Sequence, residues 1–256
     1  MRIFELDNIS FQYPDGTPGL SGVSLFLNQG ECLGVVGPNG SGKSTLLKIL
    51  AGLYFPQEGE ILYMGERLSE ERFKEKPFRE NFRRKVAILF QNPESQILFP
   101  TVWQEVLFGP EQLKMDQKEA ENRATAILRF FHIEHLKERH PYKLSGGEKK
   151  KVILASLLIL DPEILLLDEP TDNLDPRSAS ELTSYLSGLS SAKTILLSTH
   201  DLNLVSKICS RVYLLSEEKK VAAEGRPEGL LKDKGLLEKL NLAEVDSLLP
   251  GRGERI

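Results

Sequence analysis

The chain has 256 residues, 33 Lys+Arg against 37 Asp+Glu, a formal net charge of −4, and 40% hydrophobic residues. That make-up excludes collagen-like and disordered classes and leaves a globular chain long enough to bury a large α/β core. The slight acidity argues against nucleic acid as a partner, because broad nucleic-acid binding normally leaves a basic footprint. Cys32 and Cys209 are the only cysteines. Two thiols in apolar stretches make neither a disulfide framework nor a four-thiolate zinc site, and read as buried small hydrophobes. Glu5 and Asp7 stand where a signal peptide needs an apolar core. The longest apolar run, Val152 to Leu160, is well short of the roughly 18 residues a membrane span requires. Work at a membrane would therefore need another subunit to hold the chain there.

In chain order, the first 30 residues alternate around the turn signals Pro14-Asp15-Gly16 and Gln29-Gly30, which predicts an antiparallel piece against a sheet edge. Short apolar branched runs follow at Cys32–Val36, Val86–Phe90, Ile164–Leu167, Thr194–Leu197 and Val212–Leu215. Unbroken runs of this kind predict strands buried on both faces, as in a parallel sheet. Residues 66–85, with eight Lys/Arg and five Asp/Glu, read as a solvated helix or loop. A helix is predicted with Ala120, Ala124, Ile127, Leu128 and Phe131 on one face, opened by a capping box of Asp116 and Glu119. Strands alternating with helices give a layered α/β fold. From about Ser216 the character changes, and the leucines from Leu230 to Leu249 predict a small appended helical element.

Gly37-Pro38-Asn39-Gly40-Ser41-Gly42-Lys43-Ser44-Thr45 fits the P-loop pattern, with a strand-like run before it and the helix-like run Leu46–Leu50 after it. Glycines let backbone N–H groups curl around phosphates, and the helix N-terminus adds partial positive charge. Lys43 adds a full charge on the β- and γ-phosphates, and Ser44 offers a hydroxyl to Mg²⁺. Ile164–Leu167 runs into Asp168-Glu169. A strand ending in two acids places Asp168 near that metal and Glu169 where it could orient and deprotonate a water. The expected cofactors are ATP and Mg²⁺.

Leu144-Ser145-Gly146-Gly147-Glu148 is similar to the LSGGQ signature of ATP-binding-cassette (ABC) ATPases. The resemblance covers roughly residues 2–220. By resemblance, Tyr13 is the aromatic that stacks on adenine, Gln91 the Q-loop glutamine that also reaches the metal, Asn173-Leu174-Asp175 the D-loop, and His200 the switch histidine. It implies a RecA-like parallel-sheet core with an antiparallel β subdomain and a helical subdomain at about 92–160, all within an ATP-binding domain of residues 1–220. Residues 221–256 would be a small C-terminal helical extension. Phe90-Gln91-Asn92-Pro93-Glu94-Ser95-Gln96, Pro100-Thr101-Val102, Phe108-Gly109-Pro110 and the tail resemble the ATPases of energy-coupling-factor (ECF) and cobalt or nickel importers.

The family implies a head-to-tail dimer in which Ser145, Gly146, Gly147, Glu148 and Asp175 act on the partner's ATP. It further implies a transmembrane coupling subunit, received in a groove near Gln91, a substrate-binding membrane subunit, and a place on the cytoplasmic face of the membrane. The cargo expected is a vitamin or a transition-metal ion. One feature bears on assembly. Glu148 stands where the family has Gln. Ser145-x-x-Glu148 is still a capping box, but the carboxylate adds negative charge at a helix start that faces a phosphate. Lys149, Lys150 and Lys151 could offset it, although such a run normally forms a solvated face. A substituted signature fits one half of a heterodimer, with a homodimer as the alternative. A different class, a non-transport ABC ATPase acting on nucleic acid or ribosomes, would need a long coiled coil or a second cassette. Only about 100 residues separate Lys43 from Ser145, without sustained heptads.

Overall fold

The computed structural model describes residues 1–189 and 193–242. Strands β1 (Arg2–Gln12) and β2 (Pro18–Asn28) form a hairpin; β3 (Cys32–Val36) follows, then helix α1 (Lys43–Leu50). β4 (Glu58–Tyr63) and β5 (Glu66–Arg67) precede α2 (Glu70–Lys74), α3 (Lys76–Lys85) and β6 (Val86–Leu89). A helical segment then comprises α4 (Val102–Gln112), α5 (Gln117–Phe130) and α6 (Gly146–Leu158). The chain returns through β7 (Ile164–Asp168), α7 (Pro176–Leu189), β8 (Thr194–Thr199), α8 (Leu202–Ile208), β9 (Arg211–Leu215) and β10 (Val221–Gly225). It closes on α9 (Pro227–Leu230) and α10 (Lys234–Lys239).

The predicted buried strands form a six-stranded sheet in the order β10-β9-β3-β8-β7-β6, parallel except for β10. Every residue of β3, β7 and β8 is buried. Period-2 alternation explains why both faces are apolar. Leu33, Val35, Ile164, Leu166 and Leu196 face a core shared with α1 and the N-terminal strands. Cys32, Val36, Leu165, Leu167, Ile195 and Leu197 face a second core shared with α4 to α8. Cys32 and Cys209 lie in this second core as free thiols, with sulfurs 3.7 Å apart.

The N-terminal strands differ from the edge piece predicted. They belong to a separate four-stranded antiparallel sheet, β2-β1-β4-β5, laid over the first core. Arg211 ties the two sheets: its guanidinium donates to Glu31 Oε1 at 2.7 Å and to the Phe26 carbonyl at 2.7 Å.

Three expectations are corrected by packing. Residues 66–85 are not wholly solvated. Their charges face outward, but the i, i+4 spacing of Phe78 and Phe82 on α3 puts both rings against Tyr63, with the Tyr63 and Phe82 centroids 4.9 Å apart, and Phe73 of α2 packs on both. At α5, Asp116 caps the Glu119 N–H at 3.0 Å, but the Glu119 carboxylate pairs with Arg123 one turn on, so only half of the capping box is recorded. Lys149 and Lys150 are buried. The leucine-rich tail does pack: Leu237, Leu240 and Leu242 are buried in the second core. Leu248 and Leu249 lie outside the described residues. Among the described residues no helix is long and apolar enough to cross a membrane.

Phe82 is only 1% exposed. Phe82→Ala should therefore destabilise the fold by about 3–5 kcal/mol, as removal of a buried ring does. Urea denaturation followed by circular dichroism measures it, and a change under about 0.5 kcal/mol would return this stretch to the solvated class.

Candidate functional site

Three adjacent parallel strands end at one sheet edge. β8 lies between β3 and β7, with Thr199 opposite Val36 and Ser198 opposite Asp168. The loop after β3, the acids after β7 and the histidine after β8 therefore meet, at the carboxyl edge where α/β sheets bind ligands.

The loop 37–45 is shaped by its glycines. Gly40 and Gly42 have φ of +78° and +97°, a region that L side chains avoid. A Cβ on Gly42 would stand 2.5 Å from the Gly19 carbonyl, and one on Gly37 would stand 2.4 Å from Ser41 Oγ. Gly42 is the N-cap of α1, so the helix opens directly behind the loop. Lys43 is buried; its ammonium donates to the carbonyls of Gly37 at 2.7 Å and Pro38 at 3.0 Å. Burial pushes that ammonium below the ordinary lysine range, with the Glu169 and Asp168 carboxylates opposing the shift. A cation held by dipoles inside a Gly-rich turn at a helix N-terminus is suited to a polyphosphate.

The carboxylates are fixed by β8. The Ser198 hydroxyl donates to Asp168. The Thr199 hydroxyl donates to Glu169 Oε2 at 2.9 Å, and His200 Nδ1 lies 3.0 Å from Oε1 of the same carboxylate. Glu169 also has φ +47°, a backbone conformation that persists only where the surroundings over-determine it. The imidazole itself is largely exposed, and Asp201 caps α8 behind it, as its position predicts. Tyr13 donates or accepts a 2.8 Å hydrogen bond with Thr45 Oγ1 and meets Phe11 and Tyr54 edge-on.

Tyr13, Asn39, Gly40, Gly42, Lys43, Ser44, Thr45, Gln91, Asp168 and Glu169 line one cleft of 350 Å³. Ser145, Gly146, Gly147, Glu148 and Asp175 do not line it. They line a separate cleft of 710 Å³, and Gln91 is the residue common to both. The signature is a full capping box on α6: Ser145 Oγ accepts the Glu148 N–H, and Glu148 Oε2 accepts from the Ser145 N–H and hydroxyl, each at 2.8 Å. Those two donors hold the Glu148 carboxyl below its ordinary value. Ser178 does the same for Asp175.

The model of a known family described as "ABC transporter" matches residues 20–172, more than half of the chain. The chain belongs to that family. It is an ABC ATPase, the ATP-binding subunit of a transporter. It is 43% identical over 243 residues to the nickel import ATP-binding protein NikO of Rhodobacter capsulatus, covering 93% of this chain and 95% of the relative. It is 39% identical over 244 residues to the energy-coupling factor transporter ATP-binding protein EcfA of Methanothermobacter thermautotrophicus, covering 94% and 76%. Among solved structures, a dimeric ATP-binding cassette in a post-hydrolysis state, bound to ADP and phosphate, superposes with a TM-score of 0.79 at 29% identity, covering 88% and 99%.

Several residues of this ABC ATPase were not singled out by the sequence. Ser198 and Thr199 lie beyond the expected strand Thr194–Leu197 but belong to β8. Gln96 fixes the start of the Gln91 loop by accepting the Phe90 N–H at 2.8 Å and donating to the Ile88 carbonyl at 3.0 Å. Buried Glu105 accepts the N–H groups of Leu98 and Phe99, both at 2.8 Å. Lys219, on the β9–β10 turn, joins the wall of the cleft that Lys43 lines. Each is recognisable only once strands and loops from distant parts of the chain meet.

Gly42→Ala combines a close contact with a strained φ. It should cost about 1–3 kcal/mol of stability and weaken ATP binding by about tenfold or more. Urea unfolding and titration with a fluorescent ATP analogue would show both, and wild-type values for either would contradict this account of the loop.

Proposed function

We propose that this chain is one half of a pair of cassettes that energises an ECF-type or transition-metal importer by ATP binding and hydrolysis. The observation that carries the reading is the separation of the two clefts: one chain holds a phosphate loop with its acids, and apart from it a signature with a D-loop. Head-to-tail pairing would bring the signature of one subunit to the phosphate cleft of the other, and the dimeric form of the ADP- and phosphate-bound cassette supports this.

In the composite site built on this chain's loop, Tyr13 stacks on adenine, loop N–H groups and Lys43 hold the β- and γ-phosphates, and Glu169 takes a proton from the attacking water. His200 orients that carboxylate through Nδ1. Ser145 and Gly147 reach the γ-phosphate of the nucleotide held by the opposite subunit, and Asp175 lies across the interface. Ser44, Asp168 and Gln91 offer hard oxygen atoms in one cleft, a donor set that fits Mg²⁺ beside phosphates. When bound there, Mg²⁺ would neutralise charge developing on the phosphate oxygens.

The membrane subunits dock beside Gln91, where Leu98 is 70% exposed, and closure of the pair on ATP moves them. This places the chain at the cytoplasmic face of the membrane as a peripheral subunit, beside a transmembrane coupling subunit and a substrate-binding subunit. A vitamin or a transition-metal ion is the cargo, in keeping with the EcfA and NikO relatives. These relatives do not favour the non-transport alternative. Glu148 at the signature favours a heterodimer over a homodimer.

Glu169→Gln should lower turnover about a hundredfold or more while leaving ATP bound and the pair closed. ATPase assays with size-exclusion chromatography in ATP test this, and undiminished hydrolysis would remove Glu169 from its role. Lys43→Ala should lose nucleotide binding in equilibrium titration. Glu148→Gln removes a negative charge worth about 0.3–1 kcal/mol at the helix start, so turnover of the assembled pair should rise about two- to fivefold. Unchanged turnover would show that Glu148 does not attenuate the site.

A further inference from the structure

The first two of the three lysines after the signature have separate partners. Lys149 is paired with Glu94, in the turn that follows Gln91. Lys150 is 1% exposed, although it sits four residues from exposed Gly146, at the start of a helix that borders a cleft. Its ammonium donates to two backbone carbonyls of another element, Glu169 at 2.7 Å and Asp172 at 2.6 Å. Those carbonyls belong to the turn between β7 and α7. That turn carries left-handed backbone at Glu169 (φ +47°) and Asn173 (φ +60°), and Asp172 N–H closes it on the Glu169 carbonyl at 3.2 Å. The start of α6 also packs closely here, for a Cβ on Gly147 would lie 3.1 Å from the Asn173 carbonyl.

A buried cation is tolerated only where dipoles or anions offset its lost hydration. Here the same two contacts hold a strained turn. The backbone of Glu169 determines where its carboxylate stands, and Asp175 leaves the same turn. We propose that Lys150 is a positioning residue that clamps the Glu169–Asp172 turn to the signature helix. Engagement of that helix by the neighbouring subunit's nucleotide is thereby transmitted to the carboxylate acting on this subunit's own nucleotide. The two composite sites of a pair are then mechanically linked through this side chain. The inference rests on the ATPase pair proposed above.

The test uses the full chain and the complex that co-purifies with it. Lys150→Met keeps length and removes the donors; Lys150→Gln restores N–H donors on a shorter stem. Turnover of the complex should fall about tenfold or more in Lys150→Met and be intermediate in Lys150→Gln, with affinity for a fluorescent ATP analogue within about twofold of wild type in both. Amide hydrogen exchange of the segment 168–175 should be faster in both variants, a change that a general loss of stability would spread over the whole chain. Wild-type turnover or unaltered local exchange in Lys150→Met overturns the proposal, as does a parallel loss of turnover and nucleotide affinity. If Lys150→Met does not fold, the same readings on Lys150→Gln decide, and wild-type turnover or exchange there overturns it. A wild-type complex that hydrolyses no ATP would overturn the underlying function as well, which separates the two failures.

Discussion

The register of β8 between β3 and β7 is the constraint on which the site depends. Because Ser198 stands opposite Asp168 and Thr199 opposite Val36, consecutive residues of β8 hold the two acids at the end of β7, beside the loop that leaves β3. A slip of one residue would turn the hydroxyls away and send the apolar side chains of β8 to the wrong core. Both cores specify this register, since Ile195 and Leu197 belong to one and Leu196 to the other. Packing free energy spread over the whole sheet thereby fixes a few polar contacts at its edge.

Electrostatics at that edge follow from burial. Lys43 and Lys150 are buried cations held by backbone carbonyls, and both interact with the Asp168-Glu169 pair. Burial pushes both ammonium groups below the ordinary lysine range, and both acids oppose the shift. One cation belongs to the loop of the phosphate cleft and the other to the signature helix. The same two acids thus act on one cation from the glycine loop and on one from the signature helix.

Much of this was legible in the residues. The phosphate loop, the two acids after a strand, and Ser145 with Glu148 as a capping box are local patterns, and local backbone chemistry realises them where they were read. The buried strands were legible too, because apolar runs on a sheet covered on both faces have little alternative. The burial of the lysine run and of the segment 66–85 is not legible in the residues, for a common reason. Charge counting sees the tip of a side chain, whereas Lys149, Lys150, Phe73 and Phe82 are placed by which face of a helix meets a neighbour. No window of sequence contains the carbonyl that Lys150 meets 19 residues later.

The sequence by itself determined that this chain is an ABC ATPase, because its motifs are contiguous and each carries its chemistry in a few adjacent residues. It also determined that Glu148 departs from the family pattern. Only the tertiary structure decided that the signature and the phosphate loop occupy separate clefts of one chain. It alone decided that β8 supplies the hydroxyls around the acids, and that an apparently solvated lysine is an interior clamp. The physical reason is range: turns and helix caps close within a few residues, whereas burial and strand register are set by segments more than a hundred residues apart, such as β3 and β8.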